Sequence, residues 1–571
     1  MKKSPLKIEL VQANPKVGDL KGNLKKVLDC LEKTQADLLV FPECFLTGYA
    51  LQDLVDRPSF LRDVDLAIDE LTQAVQHKGG PGVLIGAPLP GTTLPFNAAY
   101  LISSDGSRQV ALKNELPNND VFDERRTFDL GSNPKPLLFK DWKLGVMICE
   151  DMWHGRVSRA LKDENAEVFI VLNGSPMEID KQPIRHELAR NRASSHGLPL
   201  IYLNLFGGQD ELVFDGSSFV MDAQGHLIAQ LPIKETQLEI EMVWDETHHR
   251  VLLNPIHINN PITPYPSSLE AIYHTLVIGL HDYVHKNGFE QILLGLSGGV
   301  DSALVAALAV DALGPEHLLA VMMPATYTGE ESQSLAEQMA NKLACRYINQ
   351  PVGEIVSQLE KTVNEALVSP MIGVPPTPWA RALASENIQA RARGNFLMAL
   401  SNALPGALVL STGNKSEMSV GYATLYGDMC GGFNPIKDLY KTMVFDLCHW
   451  RNQTHLPWMK GPQFPIPERI ITRPPTAELA ADQSDEKSLG AYPLLDTVLK
   501  QLVEGMQSIE TAVQEASRIL GIPVNRDYVE KIAMKVQRAE YKRRQAPPGI
   551  KVTGRSFGFG WRYPITNGGK F

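Results

Sequence analysis

A short run of small and polar residues separates two apolar segments near the middle of the chain. The run is Ser297-Gly298-Gly299-Val300-Asp301-Ser302; it follows Ile292-Leu293-Leu294-Gly295-Leu296 and precedes a segment rich in Ala, Val and Leu. Two glycines let the backbone turn so that successive N–H groups face one ligand, serine hydroxyls add donors, and a following helix contributes its positive N-terminal end. The pattern predicts a phosphate-binding turn between a strand and a helix, in which Asp301 would hold a metal ion against the phosphates.

The spacing of this run differs from that of a P-loop, whose Gly-x-x-x-x-Gly-Lys-Ser/Thr pattern brings a lysine to the terminal phosphate. It resembles the loop of the ATP pyrophosphatase family, whose members cleave ATP to AMP and pyrophosphate. An ordinary glycine-rich turn that binds no ligand is the alternative. The resemblance implies that ATP is bound by Gly295, Leu296, Ser297, Gly298, Gly299, Val300, Asp301 and Ser302.

Three residues in the first half of the chain could act together as a nucleophile, a base and a cation. Glu43 follows Phe41-Pro42, Lys113 opens a Lys-x-x-Leu-Pro-Asn run, and Cys149 precedes Glu150-Asp151. Each lies at or beside the end of an apolar segment typical of a strand, and strand ends meet at one edge of a sheet. A thiol with an ordinary pKa of about 8.5 needs a nearby base or positive charge to act as a nucleophile. Taken singly, the three residues are better explained as a strand-end carboxylate, an exposed cation and a small buried side chain, and only their contexts together favour a catalytic site.

The motifs around these residues, together with Val121-Phe122-Asp123-Glu124, resemble the nitrilase (carbon–nitrogen hydrolase) superfamily. The resemblance implies an αββα sandwich in which Cys149 attacks a carboxamide carbon, Glu43 moves protons and Lys113 stabilises the oxyanion. Two later runs, 173–176 with Lys181 and 212–216, resemble the segments that hold glutamine in glutaminase members, which implies that Ser175 and Lys181 bind glutamine. Asn119 stands where the family usually has a Tyr that contacts glutamine.

Further polar runs follow in the second half. Ser385 is predicted as the N-cap of a helix that carries Asn387 and Arg391 on one face. The strand Ala407 to Leu410 ends in Ser411-Thr412-Gly413-Asn414-Lys415-Ser416-Glu417, which suits an adenine or ribose contact and a carboxylate for Mg²⁺. Alone, each run is explained as well by a helix face or a turn without a ligand.

Taken together, these runs resemble the glutamine-dependent NAD⁺ synthetase family over nearly the whole chain. The other matching runs are Tyr426–Met429, Ile436–Thr442, Pro475–Leu479, Asp482–Glu486 and Tyr541–Pro548. The family adenylates the carboxylate of deamido-NAD⁺ with ATP and amidates it with ammonia from glutamine. The resemblance implies that Thr412 and Lys441 bind ATP, that Asn387, Glu417 and Lys542 bind deamido-NAD⁺, and that Asp301 and Glu417 hold Mg²⁺. It also implies a homo-oligomer, a dimer or larger.

The pattern along the chain predicts two α/β domains. Residues 1–252 alternate short apolar strands with helices and form the expected nitrilase-like sandwich. The proline-rich segment 253–268 is predicted as a linker. Residues 269–571 begin with strand–helix–strand units, which predict a doubly wound parallel sheet of the Rossmann-like ATP pyrophosphatase type, with nucleotide at the carboxyl ends of its strands.

Composition limits the alternatives. The 571 residues carry a net charge of −10, so a nucleic-acid partner is not expected. No signal peptide or membrane-length apolar run is seen, and six cysteines occur without a Cys-x-x-Cys pair, which predicts a cytoplasmic protein with free thiols. Two other functions remain open: an RNA-modifying ATP pyrophosphatase, and an ammonia-dependent synthetase whose N-terminal half is an inactive scaffold.

Overall fold

The structure, a computed structural model, describes residues 3–256, 260–369, 373, 376–476, 478–480 and 485–569. The chain divides into two units, Met1–Ser268 and Leu269–Phe571. Ala477 and the run Asp482-Gln483-Ser484, which belong to the motifs quoted above, lie outside the described residues.

The first unit consists of two sheets, a hairpin and helices. Its strands are β1 (Leu6–Gln12), β2 (Leu38–Val40), β3 (Gly82–Leu89), β4 (Phe96–Ile102), β5 (Arg108–Leu112), β6 (Leu137–Phe139), β7 (Trp142–Ile148), β8 (Val168–Asn173), β9 (Leu200–Asn204), β10 (Phe206–Gln209), β11 (Leu212–Asp215), β12 (Phe219–Met221), β13 (Leu227–Gln230), β14 (Thr236–Asp245) and β15 (Arg250–Pro255). Its helices are α1 (Leu20–Lys33), α2 (Pro58–Lys78), α3 (Glu124–Thr127), α4 (Gly155–Asp163) and α5 (Lys181–His196). The strand orders are β15-β14-β1-β2-β3-β4-β5 and β13-β12-β9-β8-β7-β6, and β10 pairs with β11.

The two larger sheets pack face to face through aliphatic side chains. Ile8, Val40 and Leu84 of the first sheet share a buried cluster with Val146 and Ile170 of the second. Because side chains alternate along a strand, the residues between these point outward and need cover from helices. The result is a core between two sheets.

Helices cover both outer faces of this sandwich. Leu39 of β2 packs with Val27 of α1 and Val64 of α2. On the other side, Val171 of β8 packs with residues of α4 and α5, such as Leu161. The layers are therefore helix, sheet, sheet and helix, and the expected αββα sandwich is confirmed.

The segment 253–268, predicted as a linker, is partly paired with the first unit. Strand β15 continues to Pro255. Further on, Gln230 at the end of β13 donates its N–H to the Pro261 carbonyl at 2.8 Å, and its carbonyl accepts the Thr263 N–H at 2.9 Å. The Gln230 side-chain amide also donates to the Thr263 carbonyl at 2.9 Å. Prolines suit this segment because it pairs with the edge strand β13 along one side only. A proline whose missing N–H would face the other side leaves no sheet partner unsatisfied.

The second unit has a smaller sheet surrounded by helices. Its strands are β16 (Gln291–Gly295), β17 (Leu318–Met322), β18 (Arg346–Asn349) and β19 (Ala407–Leu410). Its helices are α6 (Ser268–Lys286), α7 (Val300–Leu313), α8 (Glu330–Leu343), α9 (Gly353–Leu367), α10 (Pro378–Ala403), α11 (Lys415–Val420), α12 (Lys441–Gln453), α13 (Glu468–Thr472), α14 (Asp485–Leu489), α15 (Tyr492–Leu499), α16 (Ile509–Leu520), α17 (Arg526–Arg538) and α18 (Glu540–Arg543).

The four strands of the second unit are parallel, in the order β18-β17-β16-β19. On one face, Leu293 and Val409 pack with Val356 of α9 and Leu397 of α10. Ile292 and Leu294 alternate with Leu293, are fully buried, and face the side of the sheet on which α7 contacts β16 and β17. The predicted parallel sheet between two helical layers is confirmed.

The predicted N-cap at Ser385 is wrong. Helix α10 begins at Pro378, and its N-cap is Thr377, whose hydroxyl accepts the Ala380 N–H at 3.2 Å. Proline suits the first helical position because its fixed φ fits a helix and its missing N–H would have no partner there. Ser385 therefore lies inside the helix.

A buried ion pair joins three helices of the second unit. The Tyr273 hydroxyl of α6 donates to Asp311 Oδ2 of α7 at 2.7 Å. Arg451 of α12 donates from Nε to the same oxygen at 2.6 Å and from Nη2 to Oδ1 at 3.0 Å. All three side chains are buried, so each polar group needs these partners to offset its loss of water. Within the described ranges, no helix combines the length and apolar character that would let it cross a bilayer.

Candidate active sites

The three predicted residues of the first site lie at the ends of three strands. Glu43 follows β2, Lys113 follows β5, and Cys149 follows β7. All three are buried, with 0%, 1% and 7% of their surface exposed. Strands β2 and β5 belong to one sheet and β7 to the other, so strand ends of both sheets, rather than of the one sheet expected, bring together side chains that are far apart in sequence.

Hydrogen bonds fix both carboxylate oxygens of Glu43. Oε1 accepts from Lys113 Nζ at 2.8 Å and from the Asn97 side-chain amide at 2.8 Å. Oε2 accepts from the Gly174 backbone N–H at 2.7 Å. Three donors on different elements thus set the orientation of one carboxylate.

A second carboxylate, which the sequence did not identify as a site residue, holds the other side of Lys113. Glu124 Oε2 lies 2.6 Å from Lys113 Nζ, and Glu124 Oε1 accepts the Tyr49 hydroxyl at 2.7 Å. Glu124 lies in the Val121–Glu124 motif, so its signal was in the sequence, but only the structure shows its contact with Lys113.

Burial and charge determine the protonation of this cluster. Burial lowers the pKa of Lys113, but the charges of Glu124 and Glu43 outweigh it and raise that pKa well above its ordinary value. Burial raises the pKa of the Cys149 thiol well above its ordinary value, and the Glu43 charge adds to this, whereas Lys113 opposes it. At neutral pH the site therefore holds an ammonium group and an uncharged thiol.

The backbone at Cys149 is strained. Its φ is 44°, a left-handed conformation that costs a residue with a Cβ and recurs at functional sites. Asp151 secures this turn: Oδ2 accepts the Ile148 N–H at 3.0 Å, and Oδ1 accepts the N–H groups of Asn114 and Glu115, each at 2.8 Å. One side chain thus ties the Cys149 turn to the loop that carries Lys113.

The two predicted glutamine-binding residues differ in their surroundings. Ser175 is buried, and its hydroxyl and carbonyl accept hydrogen bonds from Arg185 at 3.1 and 2.8 Å. Lys181 begins α5, and its ammonium lies 3.8 Å from the Glu178 carboxylate. Arg185 was missed by the sequence analysis because no motif distinguishes it from a surface arginine.

The second site is a cavity of about 300 Å³ at the carboxyl ends of β16 and β19. It is large enough for a nucleotide. Thr412, Glu417 and Lys441 line it, as does the whole predicted ATP-binding run from Gly295 to Ser302. The sequence therefore predicted one contiguous set of residues.

Glycine is required in the turn that precedes α7. Gly298 has a φ of 78°, and a Cβ at this position would lie 2.4 Å from the Ser332 carbonyl oxygen. Helix α7 begins at Val300, so the first turn of the helix contains Asp301 and Ser302. The Ser302 hydroxyl accepts the Ser297 N–H at 3.2 Å and thereby stabilises the turn.

One ammonium group lies between the two predicted metal-binding carboxylates. Lys441 Nζ forms an ion pair with Asp301 and lies 3.3 Å from Glu417 Oε1. Asn414 links the same residues, because its side-chain amide donates to Asp301 Oδ1 at 2.9 Å and its Oδ1 accepts the Glu417 N–H at 3.0 Å. Among the described residues there is no group of three or more His, Cys, Asp or Glu side chains placed to hold a metal.

Asn387 and Lys542 do not line this cavity. Lys542 Nζ donates to the Gly421 and Ala423 carbonyls at 2.8 and 2.7 Å, and Asn387 Oδ1 accepts the Thr424 hydroxyl at 2.8 Å. Both therefore bind residues 421–424, of which Tyr422 and Ala423 form part of the cavity wall.

Two arginines of the cavity were not among the residues predicted from the sequence. Arg393 and Arg473 both line it. Arg473 donates to the Ser332 hydroxyl at 2.6 Å and also forms an ion pair with Glu478. Their positive charges suit a phosphate-binding cavity, but their spacing in the sequence gives no signal of this.

The two units match two families. Residues 7–243 match the carbon-nitrogen hydrolase family, and residues 272–546 match the NAD synthase family. These matches define a chain that joins an amide-hydrolysing type of domain to a nucleotide-dependent synthetase.

Similarity to known proteins extends over both units. The chain is 43% identical over 566 residues to the glutamine-dependent NAD(+) synthetase of Rhodobacter capsulatus, and 38% identical over 593 residues to that of Thermotoga maritima, with 98% of each chain covered in both cases. Among solved structures, it is similar to the glutamine-dependent NAD+ synthetase of Acinetobacter baumannii in complex with ADP, with a TM-score of 0.73, 36% identity and 99% of both chains covered. The chain belongs to the glutamine-dependent NAD(+) synthetase family, and the prediction of an ATP-dependent ligase is confirmed.

Replacing Lys113 with Met would leave Glu43 and Glu124 buried without their shared cation. We expect the free energy of unfolding of the first unit to fall by about 3–5 kcal/mol. Burial already raises the pKa of Glu124, and loss of the ammonium raises it further above its value in the unfolded chain. A raised folded-state pKa stabilises at low pH and loses this contribution as pH rises through it. The deficit relative to wild type should therefore grow from about pH 5 to about pH 8 in thermal unfolding.

Lys140→Met is the matched control, because Lys140 pairs with Asp37 while remaining 49% exposed. Its unfolding midpoint should stay near that of wild type throughout the pH series. A deficit in Lys113→Met that does not change with pH would contradict the assigned electrostatics.

Proposed function

We propose that this chain makes NAD⁺ from deamido-NAD⁺, ATP and glutamine. Water and glutamine give glutamate and ammonia at the first site. At the second, the deamido-NAD⁺ carboxylate attacks ATP, pyrophosphate leaves, and ammonia then displaces AMP to form the amide. The observation that carries this proposal is the presence in one chain of the Cys149 cluster and of a phosphate-type turn that opens into a nucleotide-sized cavity.

In the proposed first reaction, Cys149 Sγ attacks the glutamine carboxamide. Because burial keeps the thiol protonated, Glu43 takes its proton as the bond to carbon forms and later gives it to the leaving ammonia. The Lys113 ammonium stabilises the oxyanion. Glu124 holds Lys113 in place by the 2.6 Å contact. Water then releases glutamate from the thioester.

In the proposed second reaction, the 295–302 turn and Lys441 bind the phosphates of ATP, and Thr412 contacts its nucleoside. Glu417 contacts deamido-NAD⁺. Asn387 and Lys542 support the dinucleotide through residues 421–424, because their side chains bond to that segment.

We infer that Mg²⁺ binds with ATP at Asp301 and Glu417. The two carboxylates fit such an ion because both already lie within reach of one cation, the Lys441 ammonium. Two carboxylates plus substrate phosphates are the usual ligands of Mg²⁺. When bound, the ion neutralises charge that develops on the departing pyrophosphate. Lys441 is then available to the phosphates.

The homo-oligomer and the cytoplasmic location also remain proposals. Ile355, Leu359 and Val363 recur every four residues along α9 and are 46%, 39% and 37% exposed, which supports contact with a second copy. Sedimentation equilibrium tests this, since Leu359→Glu should lower the measured mass of the protein to that of a monomer.

All six cysteines are free, which supports a location in a reducing compartment such as the cytoplasm. Cell fractionation checks this location.

Cys149→Ala tests whether Cys149 is needed only when glutamine is the nitrogen donor. We expect NAD⁺ formation with glutamine to fall by about a thousandfold or more, while formation with ammonium stays near the wild-type rate. The measurement is NAD⁺ and AMP production from deamido-NAD⁺, ATP and Mg²⁺ with either nitrogen donor. Cys30→Ala, a half-buried thiol of the same unit away from the cluster, should match wild type with both. Equal loss with both donors would contradict the assignment of Cys149.

Asp301→Asn tests the second site. We expect ammonium-driven NAD⁺ formation to fall by about a hundredfold and the Mg²⁺ concentration for half-maximal rate to rise. Glutamine hydrolysis should persist. Asp446→Asn is the control, because Asp446 is exposed on α12. An unchanged Mg²⁺ requirement would show that Asp301 does not hold the ion.

A further inference from the structure

The segment before α6 contributes a partly buried hydrogen bond to the first unit. The Tyr265 hydroxyl donates to Asp215 Oδ2 at 2.9 Å. Asp215 ends β11 and is 1% exposed, whereas Tyr265 lies three residues before α6. A residue predicted to belong to a linker therefore completes a polar cluster of the first unit.

Asp215 in turn orients Arg185, a buried arginine of α5. Arg185 Nη1 donates to both carboxylate oxygens, at 2.9 and 3.0 Å. Asn204 also donates to Asp215 Oδ1, at 3.4 Å, and accepts the Ser175 N–H at 2.9 Å. Because these groups are buried, each hydrogen bond is shielded from competing water.

Arg185 then holds the loop that follows β8. Its Nη2 donates to the Ser175 carbonyl at 2.8 Å and to the Pro176 carbonyl at 2.9 Å. The residue before Ser175 is Gly174, whose N–H holds Glu43 Oε2 at 2.7 Å. Short hydrogen bonds, together with the peptide link from Ser175 to Gly174, thus connect the Tyr265 hydroxyl to the carboxylate beside Cys149.

The backbone near Tyr265 is anchored as well. Gln230 holds Pro261 and Thr263 by three hydrogen bonds of 2.8 to 2.9 Å. Tyr265 therefore belongs to a short segment whose backbone β13 already holds in place. Hydrogen bonds to this segment and to Asp215 together keep the Tyr265 hydroxyl near the Asp215 carboxylate.

We propose that Tyr265 is a positioning residue for amide hydrolysis at Cys149, acting through Asp215 and Arg185 on the 174–176 loop. The inference rests on the proposed function of the first site. Without the hydroxyl, Asp215 keeps Arg185 but loses one donor, so the Arg185 pair and the loop gain freedom. Glu43 then spends less time aligned with the thiol, because the Gly174 N–H is one of its three donors.

Tyr265→Phe tests this, because it removes one oxygen and keeps the ring. We expect kcat/KM for glutamine hydrolysis to fall about fivefold. Alkylation of Cys149 by iodoacetamide, followed by mass spectrometry of its peptide, should slow by a similar factor, because it needs the same proton transfer to Glu43. Ammonium-driven NAD⁺ formation should equal that of wild type.

The second unit supplies a matched control. Tyr273 donates to Asp311, which pairs with Arg451, so Tyr273→Phe removes the same kind of hydrogen bond from a buried Tyr–Asp–Arg group. Because the Tyr273 hydrogen bond is the more buried of the two, Tyr273→Phe should lower thermal stability at least as much as Tyr265→Phe does, but leave glutamine hydrolysis and Cys149 alkylation unchanged. A purely structural role for Tyr265 would make the two variants behave alike, and that result would overturn the inference.

The positioning role of Tyr265 and the proposed function of the first site are contradicted by different results. If wild type hydrolyses glutamine and Tyr265→Phe hydrolyses it at the same rate, only the positioning role is wrong. If wild type hydrolyses no glutamine, the proposed function of the first site is wrong, and the role of Tyr265 is overturned with it.

Discussion

The first unit depends on one ammonium group buried between two carboxylates. Lys113 Nζ lies 2.8 Å from Glu43 and 2.6 Å from Glu124. Burying three charges costs several kcal/mol per ion unless each is paired and hydrogen-bonded, so the surroundings must supply donors. Asn97, Gly174 and Tyr49 do so from separate elements. These elements must pack in their native positions before the cluster can form. The same packing that stabilises the first unit therefore also positions the site.

The second unit uses the same arrangement in a more open setting. Lys441 is also shared by two carboxylates, but Asp301 and Glu417 are each 18% exposed, whereas Glu43 and Lys113 have no exposed side-chain surface. A closed cluster keeps its charges in fixed positions, which suits repeated proton transfer. An open cluster can exchange one cation for another when a charged ligand arrives. The difference in exposure matches the difference in chemistry proposed for the two sites.

Local sequence was sufficient for the parts of this chain that a few neighbouring residues determine. The turn at Gly298 needs a positive φ and a residue without a Cβ beside Ser332, and both requirements favour the glycine found there. The parallel sheet of the second unit and many of the strands followed from apolar runs, and the motifs at the ends of such runs pointed to Glu43, Lys113 and Cys149. Glu124 stood in a recognised motif, but its role depends on a contact with Lys113 that sequence spacing does not encode.

Other features could not be predicted because they depend on distant partners. Arg185 resembles any arginine of an amphipathic helix until Asp215 and the 175–176 carbonyls are seen around it. The N-cap at Ser385 was wrong because Thr377 and Pro378 offer a better start to the same helix. The proline-rich composition of 253–268 indicated a linker, yet an edge strand accepts prolines, so part of that segment pairs with β13.

The Tyr–Asp–Arg groups of the two units show that the same stabilising arrangement can hold different parts of the structure. In both, a tyrosine hydroxyl donates to a buried aspartate that pairs with an arginine, and both arginines also donate to loop carbonyls. The Arg451 group holds Pro462, in a loop that bears none of the residues assigned to either site. The Arg185 group holds Ser175 and Pro176, directly after the Gly174 N–H that orients Glu43. The same types of interaction, a hydrogen bond and an ion pair, stabilise both groups. The consequence of weakening either group therefore depends on which loop its arginine holds.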